Sequence, residues 1–330
     1  MRKIRVAQIG TSRYSHGNDI FSTLVKHPEV FDIAGYALPE GEKELVPSYK
    51  RVFAGYKEMS VQEIMDDKSI EAVIIETEEI HLTKYALWAA RQGKHIHMEK
   101  PGGLSLGDFE ALVATARENN LVFHTGYMYR YNPVISDILQ RVHTGQIGRV
   151  ISVEAQMSGW RPKEQTQWLE TFPGGMMFYL GCHLVDLVLR LQGKPDRIIP
   201  FHKSSGVHDV PAKDFSVAVL EYPNGVSLIK TTQAERGGFL KRRLVVTGTE
   251  GRFEVCPLEI NADYPLQYTE YDECKSTDWN AIAERKRSEP YDRYDTMMLS
   301  FAKMVRGEQK NPYSYEYELD LFKTILKCCE

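Results

Sequence analysis

The chain has 330 residues, 42% of them hydrophobic and 26% charged, an ordinary globular make-up with more length than one hydrophobic core uses. Its net charge of −4 gives no basic surface for nucleic acid or an anionic membrane, and no apolar run reaches transmembrane length. The cysteines Cys182, Cys256, Cys274, Cys328 and Cys329 lack metal-type spacing and read as reduced thiols. With a start that runs straight into a strand and has no signal-peptide core, the expectation is a cytoplasmic protein.

The first 125 residues alternate strand and helix. Ile4–Ile9 is a short apolar run closed by Gly10, and a helix over 18–26 stops at His27-Pro28. Strands follow over 31–38 and 72–76, with a short helix over 61–65 between them. Leu82–Arg91 reads as a helix ended by Gly93, His95–Met98 as a strand, 106–119 as a helix and 122–125 as a strand. This order predicts an α/β Rossmann-type domain over residues 1–125, a parallel sheet with crossover helices. After a helix over 134–143 the pattern changes. Runs at 150–157, 215–222, 226–234, 243–247 and 252–255 are β-like, and Pro223-Asn224-Gly225 and Thr249-Glu250-Gly251 mark turns between them. They predict an α+β domain over 126–330 with an open, mainly antiparallel sheet. Helices at 181–191 and 294–305 are expected to cover one face of that sheet. The other face, with apolar or small residues along Val226-Ser227-Leu228-Ile229-Lys230-Thr231-Thr232, is expected to build a homodimer or homotetramer.

Three places carry chemistry. The turn Gly10-Thr11-Ser12-Arg13-Tyr14-Ser15-His16-Gly17 joins the first strand to the first helix, where a dinucleotide-binding protein receives a pyrophosphate. Ser12 and Ser15 stand where the full fingerprint has its second and third glycines, so a phosphate cradle and a plain βα turn both fit. At the end of the second strand, Glu40 falls two residues past the tip and no Arg cluster is present. NAD is the expectation there, and NADP stays open. Lys100 follows the strand His95–Met98 and faces the crevice where ligands bind in such sheets, where its ammonium can donate to a substrate oxygen. His95 and His97 point the same way on their strand, but no third ligand at matching spacing accompanies them and no metal is expected. Trp160, Arg161, Gln165, Gln167 and Trp168 can line a sugar site or form a packed loop.

Glu99-Lys100-Pro101 after such a strand resembles the signature of the glucose–fructose oxidoreductase / inositol dehydrogenase (Gfo/Idh/MocA) family. So do Gly126-Tyr127-Met128-Tyr129-Arg130-Tyr131-Asn132-Pro133, Gly174-Gly175 with His183-Leu184-Val185-Asp186, and the turn Thr77-Glu78-Glu79-Ile80-His81. The resemblance implies a nicotinamide-dependent dehydrogenase acting on a sugar, sugar derivative or cyclitol hydroxyl. It implies cofactor contacts from Gly10, Thr11, Ser12, Ser15, His16, Leu38, Thr77, His81, Glu99 and Lys100. It implies that Lys100 binds the reacting hydroxyl, with His183 beside it as acid/base and Tyr179 on the rim of the same cleft. Tyr127, Arg130, Arg161 and Trp168 join them as substrate contacts. The sequence departs from the family at Ser12 and Ser15, at Tyr179 where an Asp is common, and at Glu78 and Glu79, whose carboxylates repel a pyrophosphate unless they are turned away. Two alternatives stay open: a glycoside-modifying enzyme that keeps NAD bound through a transient oxidation, and a catalytically silent ligand-binding relative.

Overall fold

The structure, a computed structural model, describes residues 2–330. It divides into two compact units, one running to Tyr127 and adding Tyr294–Phe322, the other Met128–Arg293 with Lys323–Glu330.

The first unit is built on β1 (Ile4–Ile9), α1 (Gly17–Lys26), β2 (Phe31–Ala37), the short helices α2 (Glu42–Leu45), α3 (Tyr49–Val52) and α4 (Val61–Asp66), then β3 (Ala72–Ile75), α5 (Leu82–Arg91), β4 (His95–Met98), α6 (Leu106–Glu118) and β5 (Phe123–Thr125). The five strands are parallel in the order β2-β1-β3-β4-β5. Ala72-Val73-Ile74-Ile75 is buried throughout, as expected of a strand with helices on both faces. Ser60 and Glu63 start α4 with a reciprocal capping box, Ser60 Oγ accepting from the Glu63 amide at 3.1 Å and the Glu63 carboxylate from the Ser60 amide at 2.6 Å. Two C-terminal helices, α10 (Asp295–Val305) and most of α11 (Tyr315–Cys328), complete this unit. Here the structure departs from expectation, because the 294–305 segment belongs to the first unit. Its first residue, Asp295, takes Lys26 Nζ of α1 at 2.5 Å. Phe322 of α11 stacks on Phe109 of α6, rings 4.2 Å apart, and Glu318 accepts from the Thr125 hydroxyl at 3.0 Å.

The second unit opens with α7 (Pro133–His143), capped by Asn132, whose side chain accepts from the Val134 and Ile135 amides. It continues through β6 (Val150–Ser158), α8 (Lys163–Trp168), a π-helical turn (Met177–Gly181), α9 (Cys182–Gln192), β7 (Arg197–Lys203), β8 (Phe215–Tyr222), β9 (Gly225–Thr232), β10 (Arg243–Gly248), β11 (Gly251–Val255), β12 (Ile260–Asp263), β13 (Leu266–Tyr268), β14 (Glu270–Cys274), β15 (Lys286–Arg287) and β16 (Tyr291–Asp292). Eight strands form one sheet, β15-β14-β11-β10-β6-β9-β8-β7, antiparallel except where β6 runs parallel to β9. β12, β13 and β16 form a small separate sheet. Along β9, Ser227, Ile229 and Thr231 turn inward while Val226 and Leu228 face out, the period-two pattern of a sheet covered on one side. Pro200 is tolerated because β7 is an edge strand. Among the described residues no helix is long and apolar enough to cross a membrane.

Candidate active site

The site begins at Gly10, which leaves β1 with φ +92°, a conformation that L side chains rarely adopt. A Cβ there would stand 2.5 Å from the Thr77 backbone, so glycine is what lets this turn close on the end of β3. The next three amides are all engaged. Thr11 N–H donates to Glu42 Oε2 at 3.0 Å, Ser12 N–H to the Glu76 carbonyl at 2.8 Å, and Arg13 N–H to Glu78 Oε1 at 2.9 Å. The Ser12 hydroxyl donates to Glu79 at 3.3 Å. Glu78 and Glu79 are therefore turned toward the turn and not away from it. Glu42 Oε1 also accepts from the Glu78 amide at 3.2 Å, so one buried carboxylate ties both loops together.

Around the ends of β3 and β4 lie further carboxyl groups. Burial pushes Glu42, Glu76 and Glu79 each up to about 8; for Glu76 and Glu79 the nearby Lys100 charge works in the other direction. Glu99 is likewise raised by burial and opposed by Lys100. Lys100 is itself buried, its Nζ 3.6 Å from Glu99 Oε1. Gly126 leaves room for this group, since a Cβ there would meet Glu99 Oε2 at 2.5 Å. His97 faces Glu76 at 3.4 Å and meets His124 across β4 and β5 with Nδ1 atoms 2.7 Å apart. Among the described residues no group of His, Cys, Asp or Glu is arranged to hold a metal.

Of the other residues expected at a cofactor, Thr77 is buried behind Gly10 and donates its hydroxyl to the Glu78 carbonyl at 3.3 Å. Ser15 and His16 lie half-buried at the start of α1, where His16 Nδ1 meets the Tyr294 hydroxyl at 2.8 Å. Leu38 and His81 are half-buried, at the end of β2 and at the end of the 3₁₀ turn Glu79–His81. Glu40 is occupied by Lys84 and Tyr85, each at 2.6 Å.

Tyr127 is buried at the end of the first unit. The second unit holds the remaining candidates. His183 lies buried in the first turn of α9, edge-on to Tyr129 with rings 5.5 Å apart. Tyr179 lies in the π-helical turn just before it and packs edge-on against Trp168 at 4.9 Å. Arg161 is half-buried, its carbonyl accepting from His208. Arg130 donates Nε and Nη2 to Asp186 Oδ1 at 3.0 and 2.8 Å in a buried pair. Asp186 is buried and Arg190 half-buried, 3.8 Å apart, with Arg130 the nearer partner of Asp186. Sequence reasoning missed the group behind His183, where Glu259 Oε1 accepts from Tyr129 at 2.8 Å, Arg242 at 3.0 Å and Arg293 at 2.8 Å. It also missed Glu42 and Glu76. No local signal separates these buried charges from solvated ones in the sequence.

The turn at Gly10 binds carboxyl oxygens through backbone amides ahead of α1, and Glu42 and Glu78 of the chain itself already demonstrate that chemistry. The residues present thus fit a dinucleotide pyrophosphate, whose oxygens are acceptors of the same kind. This defines the class as a nucleotide-binding Rossmann protein with a second, sheet-based unit. Residues 4–127 match the sequence model described as "Oxidoreductase family, NAD-binding Rossmann fold", and residues 135–254 that of the "GFO/IDH/MocA C-terminal domain". The chain belongs to the Gfo/Idh/MocA family of oxidoreductases. It is 27% identical over 197 residues to 1,5-anhydro-D-fructose reductase of Ensifer adhaerens, covering 58% of this chain and 59% of that one. It is 23% identical over 201 residues to scyllo-inositol 2-dehydrogenase (NADP(+)) of Bacillus subtilis strain 168, covering 60% and 55%. These alignments span less than two thirds of the curated relatives. The fold is also that of the aldose-aldose oxidoreductase from Caulobacter crescentus complexed with glycerol, with TM-score 0.80, 16% identity and coverage of 99% and 98%.

Proposed function

We propose that the chain is an NAD(P)-dependent oxidoreductase acting on a hydroxyl of a sugar, sugar derivative or cyclitol. The observation that carries this reading is the buried Lys100 ammonium at the carboxyl end of β4, in the field of Glu76, Glu79 and Glu99. A polyol suits such surroundings because each hydroxyl can accept from an ammonium and donate to a carboxylate. Lys100 holds the reacting oxygen. His183 takes the hydroxyl proton, a task for which an imidazole with a reference pKa of about 6.5 is better matched than the Tyr179 phenol at about 10. Tyr127, Arg130, Arg161 and Trp168 remain candidate substrate contacts; Arg130 already gives Nε and Nη2 to Asp186. A bound nicotinamide dinucleotide supplies the hydride-accepting ring. The anhydro-sugar and cyclitol named for the two relatives support the substrate class.

We further propose that the outer face of the eight-stranded sheet joins copies of the chain. Ile199, Val219 and Leu228 stand in register there, next to Phe201 and Val217, with Phe201 55% and Leu228 37% exposed.

Incubation with NAD or NADP and a panel of sugars and cyclitols tests the proposal. Reduced nicotinamide should accumulate with at least one member. Oxidised product, or unchanged substrate, without net reduced nicotinamide across the whole panel would contradict a net dehydrogenase.

A further inference from the structure

Two glutamate side chains occupy the amides of the turn at Gly10. Glu42 reaches in from α2 and takes the Thr11 amide; Glu78 reaches in from the loop after β3 and takes the Arg13 amide. Neither is a loose surface group. Glu42 is fully buried, with one oxygen on Thr11 and the other on the Glu78 amide. Glu78 is gripped on both oxygens by the Arg13 guanidinium, Nε at 3.2 Å and Nη2 at 3.0 Å, and its first oxygen also faces the Ser12 hydroxyl at 3.4 Å. Amide donors that converge on carboxyl oxygens ahead of a helix make a site for phosphate-like acceptors, and here the acceptors belong to the chain. A nucleotide phosphate cannot share those amides with them: Glu78 repels it by charge, and Glu42, whose carboxyl burial keeps protonated at neutral pH, already occupies its two amides.

Resting on the dinucleotide reading above, we infer that Glu42 and Glu78 are internal competitors for the pyrophosphate amides. The cofactor enters by displacing them. Arg13, released from Glu78, then becomes the cation nearest to the incoming phosphates. The arrangement sets the affinity for nucleotide from within the fold, because the Thr11, Ser12 and Arg13 amides are satisfied before any ligand arrives.

Calorimetric titration of NADH and NADPH into the wild-type chain, Glu78→Ala and Glu42→Ala tests this without reference to turnover. Melting curves verify that each variant is folded. Glu78→Ala should bind at least one nucleotide about tenfold or more tightly than wild type, the scale of one charge-assisted competitor removed. Glu42→Ala, which vacates the Thr11 and Glu78 amides with no change of charge at neutral pH, should tighten binding by a smaller factor. If Glu78→Ala does not fold, Glu78→Gln carries the same expectation. A wild type that binds with variants no tighter overturns the inference and leaves the dinucleotide reading intact. Absence of binding in every folded protein overturns that reading and the inference with it.

Discussion

Glu76, the residue just past β3, and His97 of β4 face each other 3.4 Å apart, both fully buried, and each keeps the charge state that burial favours. The carboxyl is pushed up to about 8 and the imidazole down to about 4, so at neutral pH the pair is uncharged. Glu42 and Glu79, also at about 8, extend this set of retained protons along the carboxyl ends of the sheet.

A pH dependence of stability follows. For a carboxyl whose folded pKa is raised, the unfolded chain loses its proton first, so stability falls as pH rises from the ordinary carboxylate range through about 8. His97 acts oppositely, but only as pH falls from about 6.5 toward about 4. Above neutrality the glutamates act alone. The melting temperature should therefore drop by several degrees between about pH 6.5 and about pH 9. Glu76→Gln should flatten that slope. A melting temperature that is constant or rises over this interval would contradict the protonated carboxyls.

The buried Arg130–Asp186 pair should be structural. Removing one partner leaves a charge in the core, so Arg130→Ala should cost about 3–5 kcal/mol in urea unfolding, while the joint change Arg130→Met with Asp186→Leu should recover much of the loss. If Arg130→Ala unfolds like wild type, the guanidinium is available for another partner after all.

On the outer sheet face, Leu228→Glu or Phe201→Glu places a charge among apolar neighbours. Light scattering should report a multimer for wild type at micromolar concentration and smaller species for the variants. A wild-type monomer would remove the sheet face as an interface.

Tyr179→Phe keeps the edge-on packing against Trp168 and loses only the hydroxyl. It should preserve the fold and lower turnover less than a change at Lys100, as expected of a group on the rim of the reaction. A loss equal to that of Lys100→Ala would make the phenol part of the proton transfer.

Much of this was legible in the sequence. The alternation of short apolar runs with amphipathic helices marks β1 to β5 because burial on two faces leaves few polar positions, and the period-two runs mark β6 and β8 to β11. Gly10 stood out because strand, turn and helix follow in the right order. Other features depend on long-range packing. The segment 294–305 looks like any amphipathic helix, and its place beside α1 is decided by partners such as Lys26, 269 residues away. Glu42 lies in a charge-rich stretch, Glu40-Gly41-Glu42-Lys43-Glu44, that reads as solvated. Only the folded turn shows that this one carboxylate has two amides to accept from.

Steady-state formation of reduced nicotinamide by wild type and Lys100→Ala, on one verified sugar or cyclitol, tests the proposed chemistry most directly. Lys100 is proposed to hold the reacting hydroxyl, so its loss removes an interaction made in the transition state. Turnover should fall by orders of magnitude while nucleotide still binds. Near-wild-type turnover of Lys100→Ala would contradict the account.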